Sequence, residues 1–179
     1  MVRCFIAIDL PEDIKARIFH EAETLKDKRL FNGKITEKEN LHLTLRFLGE
    51  VPEEKLDEIF WKLSEINFKK FNCSIGKTGF FENEKRIKVI WIELISEDLQ
   101  KLEKIISGML PEFPETQGKF SPHITLARVE SIRDRKGLIE NVKRIHIKNS
   151  EFEVKEFLLM KSELRRGGNV YKKIGKIEL

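Results

Sequence analysis

The chain has 179 residues, a length that fits one globular domain or a compact two-lobed unit and excludes a large multidomain assembly. Hydrophobic residues make up 40% of the chain, which is enough to build a core and excludes a disordered protein. Charged residues reach 36%, but the formal net charge is only +4, so the net charge alone identifies no partner.

The first half of the chain predicts strand, helix, strand, helix and strand in that order. Residues 3–8 are β-branched, aromatic or otherwise apolar and predict a buried strand, and Pro11 opens a helix with an apolar stripe. A polar connection containing Gly33 leads to a strictly alternating strand over residues 41–48. Its two predicted faces are Leu41, Leu43, Leu45 and Phe47 towards the core, and His42, Thr44 and Arg46 on the other side.

The second half repeats this order. Residues 88–94 predict a strand, Ser96 is a plausible cap for the helix that follows, and residues 121–129 predict another short alternating strand. Two further strands are expected around residues 152–159 and 171–177, with a turn at Gly167 and Gly168 between them. We expect this tail to complete the second lobe.

The repetition predicts an internal duplication. His42 is echoed by His123 at an offset of 81, and residues 10–14 are echoed by residues 95–99 at an offset of 85. We therefore expect an α+β fold of two similar lobes, with mostly antiparallel sheets and flanking helices around a central cleft and a pseudo-twofold axis between them. Residues 1–179 are taken as a single two-lobed domain, with approximate halves 1–87 and 88–179.

The chemistry is expected on the two alternating strands, because each carries a His-x-Thr motif. Side chains at positions i and i+2 of a strand point the same way, so each strand offers an imidazole beside a hydroxyl. An imidazole has a pKa of about 6.5, so near neutral pH one histidine can act as a base and the other as an acid. Two such strands, carrying His42 with Thr44 and His123 with Thr125, could grip one phosphate from opposite sides.

The segments around these motifs, residues 42–49 and 121–128, closely resemble the two HxTx signatures of the two-histidine (2H) phosphoesterase superfamily. Within it, the chain is most similar to the archaeal and bacterial RNA 2',3'-cyclic phosphodiesterases, formerly called 2'-5' RNA ligases. The start over residues 3–11 and the tail over residues 159–171 also look like that family, so nearly the whole chain is covered.

The resemblance implies hydrolysis of a 2',3'-cyclic phosphate at an RNA end to a 2'-phosphate, without a metal or other cofactor. In that scheme His42 protonates the departing 3'-oxygen and His123 activates water, while Thr44 and Thr125 bind the phosphate. The reverse reaction would join RNA ends through a 2'-5' bond. The expected partner is RNA with a cyclic phosphate end, with tRNA fragments among the candidates, and the chain is expected to act as a monomer.

Three further side chains have less certain places. Arg128 ends the second motif and is expected to bind phosphate, although alternation sends it to the opposite face, so a bulge is required. Arg46 has the parity of the site face and is the alternative cation. We expect the single tyrosine, Tyr171, to be structural, with stacking on a base as the alternative.

Two other functions fit the same residues. The substrate could be a small cyclic nucleotide, or the cleft could bind RNA ends without turnover. The six cations and two anions from Lys161 to the end are compatible with every one of these functions. Cys4 and Cys73 lack the spacing of a disulfide framework or zinc ribbon, and no apolar run is long enough for a signal peptide or membrane span. We therefore expect a cytoplasmic protein without membrane contact.

Overall fold

A computed structural model describes residues 1–83, 86–113, 119–165 and 168–179. Within those ranges the strands are β1 Val2–Asp9, β2 Phe31–Ile35, β3 His42–Val51, β4 Phe71–Asn83, β5 Arg86–Ile95, β6 His123–Ile132, β7 Phe152–Val154, β8 Glu156–Arg165 and β9 Gly168–Glu178. The α-helices there are α1 Glu12–Asp27, α2 Leu56–Ser64, α3 Glu97–Met109 and α4 Arg135–Arg144. None of the described helices has the length and apolarity needed to cross a membrane.

The strands join into one mostly antiparallel sheet with the order β7-β4-β5-β6-β3-β1-β8-β9, and β2 also pairs with β6. Strands β3 and β6 meet in the middle through the antiparallel pair of Leu43 with Ile124. On either side of this pair, β1 flanks β3 and β5 flanks β6. The expected α+β architecture with a duplicated arrangement of antiparallel strands is confirmed.

The C-terminal strands belong to the other side of the sheet from the one expected. Strand β8 pairs antiparallel with β1, and β9 pairs with β8, so the tail extends the sheet of the first lobe. Conversely, two strands from the first half of the chain lie on the side of the second lobe, because β2 pairs with β6 and β4 pairs with β5. Only the short strand β7 joins the second lobe, through its pairing with β4. The prediction that the tail completes the second lobe is therefore wrong for β8 and β9. Alternation in a strand reports which face is buried, but it does not report which distant strand is the neighbour.

Two elements were not predicted. Gly33 lies in β2, where its φ is +147° and the carbonyl oxygen of Arg128 occupies the space that a Cβ would need. A strand only five residues long with a glycine inside it resembles a loop in sequence. Helix α4 begins after Asp134, whose carboxylate accepts a hydrogen bond from the backbone N–H of Gly137 at 2.9 Å. Pro114 and the turn residue Gly167 lie outside the described residues.

The predicted helices pack their apolar stripes onto the sheet. Ile14, Ile18 and Leu25 of α1 and Leu99, Leu102 and Ile106 of α3 are buried. Ser96 takes the N-cap position of α3 as predicted, but its side chain makes no capping hydrogen bond. With the helices covering one face of the central strands, the opposite face at their middle is left for polar side chains.

Candidate active site

Two histidine and threonine pairs share one face at the middle of the sheet. Leu43 and Ile124, which pair across β3 and β6, are both fully buried. Because successive side chains of a strand point to opposite faces, their neighbours lie on the other face. These neighbours are His42 and Thr44 on β3 and His123 and Thr125 on β6, and all four are half-buried. The structure thus brings the four predicted site residues together.

Both imidazole rings are held in the same way by the backbone. Nδ1 of His42 donates to the carbonyl oxygen of Asn40 at 2.7 Å, and Nδ1 of His123 donates to that of Ser121 at 2.6 Å. Because a carbonyl oxygen can only accept, these bonds place the proton of each neutral ring on Nδ1. Nε2 of each ring is then the atom available for proton transfer. In His42 it lies 3.0 Å from the hydroxyl oxygen of Thr44.

The site lowers the basicity of both rings. Burial lowers the pKa of His42, the positive charges of Lys15 and His123 add to this effect, and the hydrogen bond to Asn40 and the carboxylate of Asp9 oppose it. Burial also lowers the pKa of His123, which is opposed by the bond to Ser121 and reinforced by the charge of Arg128. The influence of His123 on His42 places the two rings within electrostatic reach of each other.

An irregularity in β3 reverses the faces of Arg46 and Phe47. In the pairing with β1, Ala7 is opposite Thr44 and Ile6 is opposite Arg46, so Leu45 has no partner. Such a bulge shifts the alternation by one residue. Arg46 is therefore only 8% exposed and Phe47 is 41% exposed. The predictions that Arg46 shares the face of His42 and that Phe47 is a core residue are both wrong.

The same irregularity occurs in β6. Trp91 of β5 is opposite Thr125 and Ile90 is opposite Ala127, so Leu126 has no partner. The shift turns Arg128 to the exposed face that carries His123 and Thr125. The bulge that this placement requires is therefore present. Its guanidinium is close enough for its charge to lower the pKa of His123.

Arg46 instead ties β3 to α3 and to the segment that follows it. Its guanidinium lies 3.3 Å from a carboxylate oxygen of the buried Glu103 and also donates to the hydroxyl of Ser107. It donates twice more to the backbone carbonyl of Phe113, at 3.2 Å and 2.6 Å. A buried guanidinium with this many partners serves to hold elements together and is not available to bind a substrate.

Aromatic rings surround both histidines. The ring centroids of Phe5 and Tyr171 lie 5.0 Å and 5.2 Å from that of His42. On the other side, the centroids of Phe81 and Trp91 lie 4.7 Å and 6.4 Å from that of His123. Tyr171 and Phe81 each stand nearly perpendicular to their histidine. Tyr171, which was expected to be structural with stacking on a base as the alternative, is therefore part of the site wall.

The surroundings of His42 and of His123 differ in how much space their side chains leave for a substrate. Ala7 and Trp91 occupy matching positions, because each is paired with the threonine of the neighbouring motif strand. A cavity opens beside His42, and its lining is Ala7, Asp9, Glu39, His42, Leu158, Met160, Tyr171 and Lys173. On the His123 side the indole of Trp91 lies across Gly79 of β4, where even a Cβ would clash with it.

A carboxylate stands at the matching position beside each histidine. Asp9 pairs with His42 and Glu93 pairs with His123 in the sheet. Asp9 also makes an ion pair of 2.6 Å with the buried Lys15. These residues were not singled out from the sequence. In the described part of the chain, no group of three or more His, Cys, Asp or Glu is placed to hold a metal ion.

Comparison with known proteins identifies the family. The model of the LigT-like phosphoesterases matches residues 8–91 and 94–171. The RNA 2',3'-cyclic phosphodiesterase of Methanocaldococcus jannaschii is 36% identical over 97% of this chain and 98% of its own length, and that of Thermotoga maritima is 35% identical over 96% and 92%.

Solved structures agree with this family assignment. The Thermus thermophilus protein TT0787 is similar with a TM-score of 0.84 at 29% identity, covering 99% of this chain and 97% of that one. Escherichia coli LigT in complex with 3'-AMP has a TM-score of 0.77 at 27% identity, covering 99% and 98%. The chain therefore belongs to the LigT-like phosphoesterases of the two-histidine phosphoesterase superfamily.

Proposed function

We propose that this protein is an enzyme that hydrolyses the 2',3'-cyclic phosphate ends of RNA and leaves 2'-phosphate ends. The observation that carries the proposal is the cluster of two imidazoles and two hydroxyls on one face of β3 and β6, with Nε2 of each ring free of backbone bonds. Family membership and the name shared by the relatives, RNA 2',3'-cyclic phosphodiesterase, support the same substrate.

In the proposed reaction, the two histidines act on opposite sides of the phosphorus. His123 takes a proton from water through Nε2 while the water oxygen bonds to phosphorus. The bond from phosphorus to the 3'-oxygen breaks, and His42 gives that oxygen a proton from its own Nε2. Each proton transfer contributes about 10²–10⁴-fold to the rate. Thr44, Thr125 and Arg128 bind the non-bridging oxygens, where negative charge builds up.

The charges around the rings favour this division of roles. Burial lowers the pKa of both rings, but at His42 the carboxylate of Asp9 opposes this effect, although Lys15, its ion-pair partner, reinforces it. Arg128 lowers the pKa of His123. A protonated His42 and a neutral His123 are the forms that an acid and a base need at the start of the reaction. The cavity beside His42 lies on the side where the terminal nucleoside, which carries the departing oxygen, would be placed, and its volume of about 70 Å³ would receive part of that group.

The deciding experiment identifies the product end from a defined RNA oligomer with a cyclic phosphate terminus. We expect a 2'-phosphate, and we expect the rate to be unchanged by EDTA. A 3'-phosphate product would show that the other oxygen departs and would overturn the assignment of His42. Loss of turnover in EDTA, restored by a divalent metal, would overturn the metal-independent mechanism.

The same experiment separates the alternative functions. Faster turnover of a mononucleotide cyclic phosphate than of the oligomer would favour a small cyclic nucleotide as substrate. Tight binding of 2'-phosphate ends with no detectable hydrolysis would favour a binding module. We propose that the enzyme works as a monomer in the cytoplasm, which sedimentation of the pure protein and fractionation of cells would test.

A further inference from the structure

The two sides of the cleft must receive different groups in the proposed reaction. Attack and departure occur in line at phosphorus, so the terminal nucleoside with its 3'-oxygen lies on the His42 side. The entering oxygen arrives on the His123 side. When water is the nucleophile, no second nucleoside has to fit beside His123. When the 5'-hydroxyl of a second RNA enters, its whole nucleoside must lie beside His123.

The exposed aromatic ring of Phe81 lies beside His123, on the side of the entering oxygen. Phe81 lies near the end of β4, on the hairpin with β5, and is 38% exposed although it is a large apolar residue. Its ring centroid lies 4.7 Å from that of His123 at an interplanar angle of 88°, and 5.5 Å from that of Trp91. The ring is thus fixed from one side by Trp91 and open to solvent beside the entering position.

Such a ring is suited to hold a nucleobase. Bases stack on exposed aromatic side chains in single-stranded nucleic acid recognition, with little regard for sequence. Arg128, on the same side, provides a cation for the phosphate between the two nucleosides. On the other side, Tyr171 of β9 stands against His42 at a similar angle and lines the cavity there. Each histidine therefore has aromatic neighbours of its own, on opposite sides of the proposed phosphate position.

We propose that Phe81 stacks on the nucleoside whose 5'-hydroxyl replaces water, so that it promotes 2'-5' joining of RNA ends over hydrolysis. This inference rests on the proposed function. In the joining step the 5'-oxygen bonds to phosphorus and its proton goes to Nε2 of His123. The bond to the 3'-oxygen breaks, and that oxygen receives the proton of His42. No atom is lost, and no nucleotide triphosphate is consumed.

The test measures joining and hydrolysis in one reaction. An oligomer with a 2',3'-cyclic phosphate end is mixed with a dinucleotide that has a free 5'-hydroxyl, and the ratio of joined to hydrolysed product is determined. We expect Phe81→Ala to lower this ratio about tenfold, the size of one base–aromatic stack, so that joining falls more than hydrolysis does. Cleavage of a 2'-5'-linked dinucleotide, which is the reverse of joining, should fall by the same factor.

Two further variants separate stacking from support of the His123 ring. Phe81→Leu keeps apolar bulk beside His123 but has no aromatic face, so we expect the same low joining ratio as in Phe81→Ala, with a hydrolysis rate nearer to that of the unaltered enzyme. Trp61→Ala removes an aromatic residue that is 68% exposed on α2 and should change neither reaction.

Three results would overturn the inference. Hydrolysis and joining could fall together in both Phe81 variants, which would make Phe81 a positioning residue for His123. The ratio could stay unchanged. The unaltered enzyme could hydrolyse cyclic ends yet neither join RNA nor cleave 2'-5' bonds, and the proposed function would then stand without this inference. Absence of any hydrolysis by the unaltered enzyme would instead overturn the proposed function itself.

Discussion

The two sides of the cleft are built on the same backbone but are filled differently. Strands β3 and β6 share the histidine orientation, the threonine two residues on and the bulge that follows. At matching positions the side chains diverge. The pairs are Phe47 and Arg128, Arg46 and Ala127, and Ala7 and Trp91.

This comparison shows how a duplicated chain can perform an asymmetric reaction. A symmetric site would give both histidines the same surroundings, whereas in-line displacement needs an acid on one side and a base on the other. The shared backbone sets where the two imidazoles stand. The diverging neighbours then set the charge and the space around each. The following changes test how far the two sides are specialised.

The largest effect is expected from the histidines themselves. His42→Ala and His123→Ala should each lower kcat by about 10²–10⁴-fold, because each removes one proton transfer. Their pH profiles should differ. His123→Ala should lose the rise in rate with pH that a base causes, and His42→Ala should lose the fall at higher pH that an acid causes.

A matched control is His20→Ala, since His20 is an exposed residue of α1. Its kcat and pH profile should equal those of the unaltered enzyme. If both site variants lost the same limb of the profile, the assignment of one acid side and one base side would be wrong.

The next largest effect is on the free energy of unfolding, and it concerns the buried ion pair between Arg46 and Glu103. Glu103→Leu leaves the buried guanidinium of Arg46 without its carboxylate. Removing one partner of a buried ion pair costs about 3–5 kcal/mol, so the free energy of unfolding in urea should fall by that amount. The double variant Arg46→Met, Glu103→Leu should recover most of the loss, as Ala127 at the matching position of β6 carries no charge. Equal losses in the single and double variants would contradict this account.

Arg128 and Phe47 occupy matching positions and should contribute unequally to catalysis. Arg128→Ala should lower kcat/KM for the cyclic-ended oligomer about 10–100-fold, the range for a lost hydrogen bond to a charged group. Arg128→Lys should be intermediate, because lysine lacks the planar fork of arginine. Phe47→Ala should have less effect than either variant. An equal loss in Phe47→Ala and Arg128→Ala would mean that the two sides bind phosphate alike.

Filling the cavity beside His42 should weaken substrate binding on that side alone. Ala7→Leu adds bulk where Trp91 already fills the other side. We expect KM for the oligomer to rise about tenfold, the lower end of the effect of one misfitted methylene in a binding pocket, with kcat changed less. Michaelis profiles measure the effect, and an unchanged melting temperature shows that the fold is intact. An unchanged KM would place the terminal nucleoside elsewhere.

The smallest effect is the pH dependence of stability. Burial lowers the pKa of His42 and of His123 in the folded state, so the unfolded chain binds more protons near its own pKa of about 6.5. Stability is then fully present above that pH and is lost as the pH falls from there towards the folded values. His42→Gln and His123→Gln should each flatten the curve of unfolding free energy between pH 7 and about pH 5. A curve of unchanged slope would contradict the lowered pKa values.

Alternation in the sequence predicted which face the first residues of β3 and β6 lie on, but not the faces of the residues after the bulge. The pattern held from Leu41 to Thr44, where each residue faces as predicted. It failed after Leu45, which is buried as predicted, because no glycine or proline marks the bulge there. Arg46 and Phe47 were therefore assigned to the wrong faces. Arg128 was assigned correctly only because the resemblance required a bulge that alternation could not supply.

Pairing between distant strands was the other property that the sequence did not reveal. The period of apolar residues identified β1 and the tail as strands, but their pairing depends on side-chain packing between residues far apart in the chain. The same holds for Phe81 and Trp91, which reach His123 only once β4, β5 and β6 are side by side.

The pairing of β1 with β8 has a consequence for the order in which the sheet forms. Because β8 lies far along the chain from β1, it is synthesised later, yet Ala7 has Leu158 as its neighbour in the finished sheet. The edge of β1 that pairs with β8 therefore stays without this partner until β8 is made, and contacts over such sequence separations form slowly. We therefore expect the His42 side of the sheet, which borders β1, to assemble later than the His123 side.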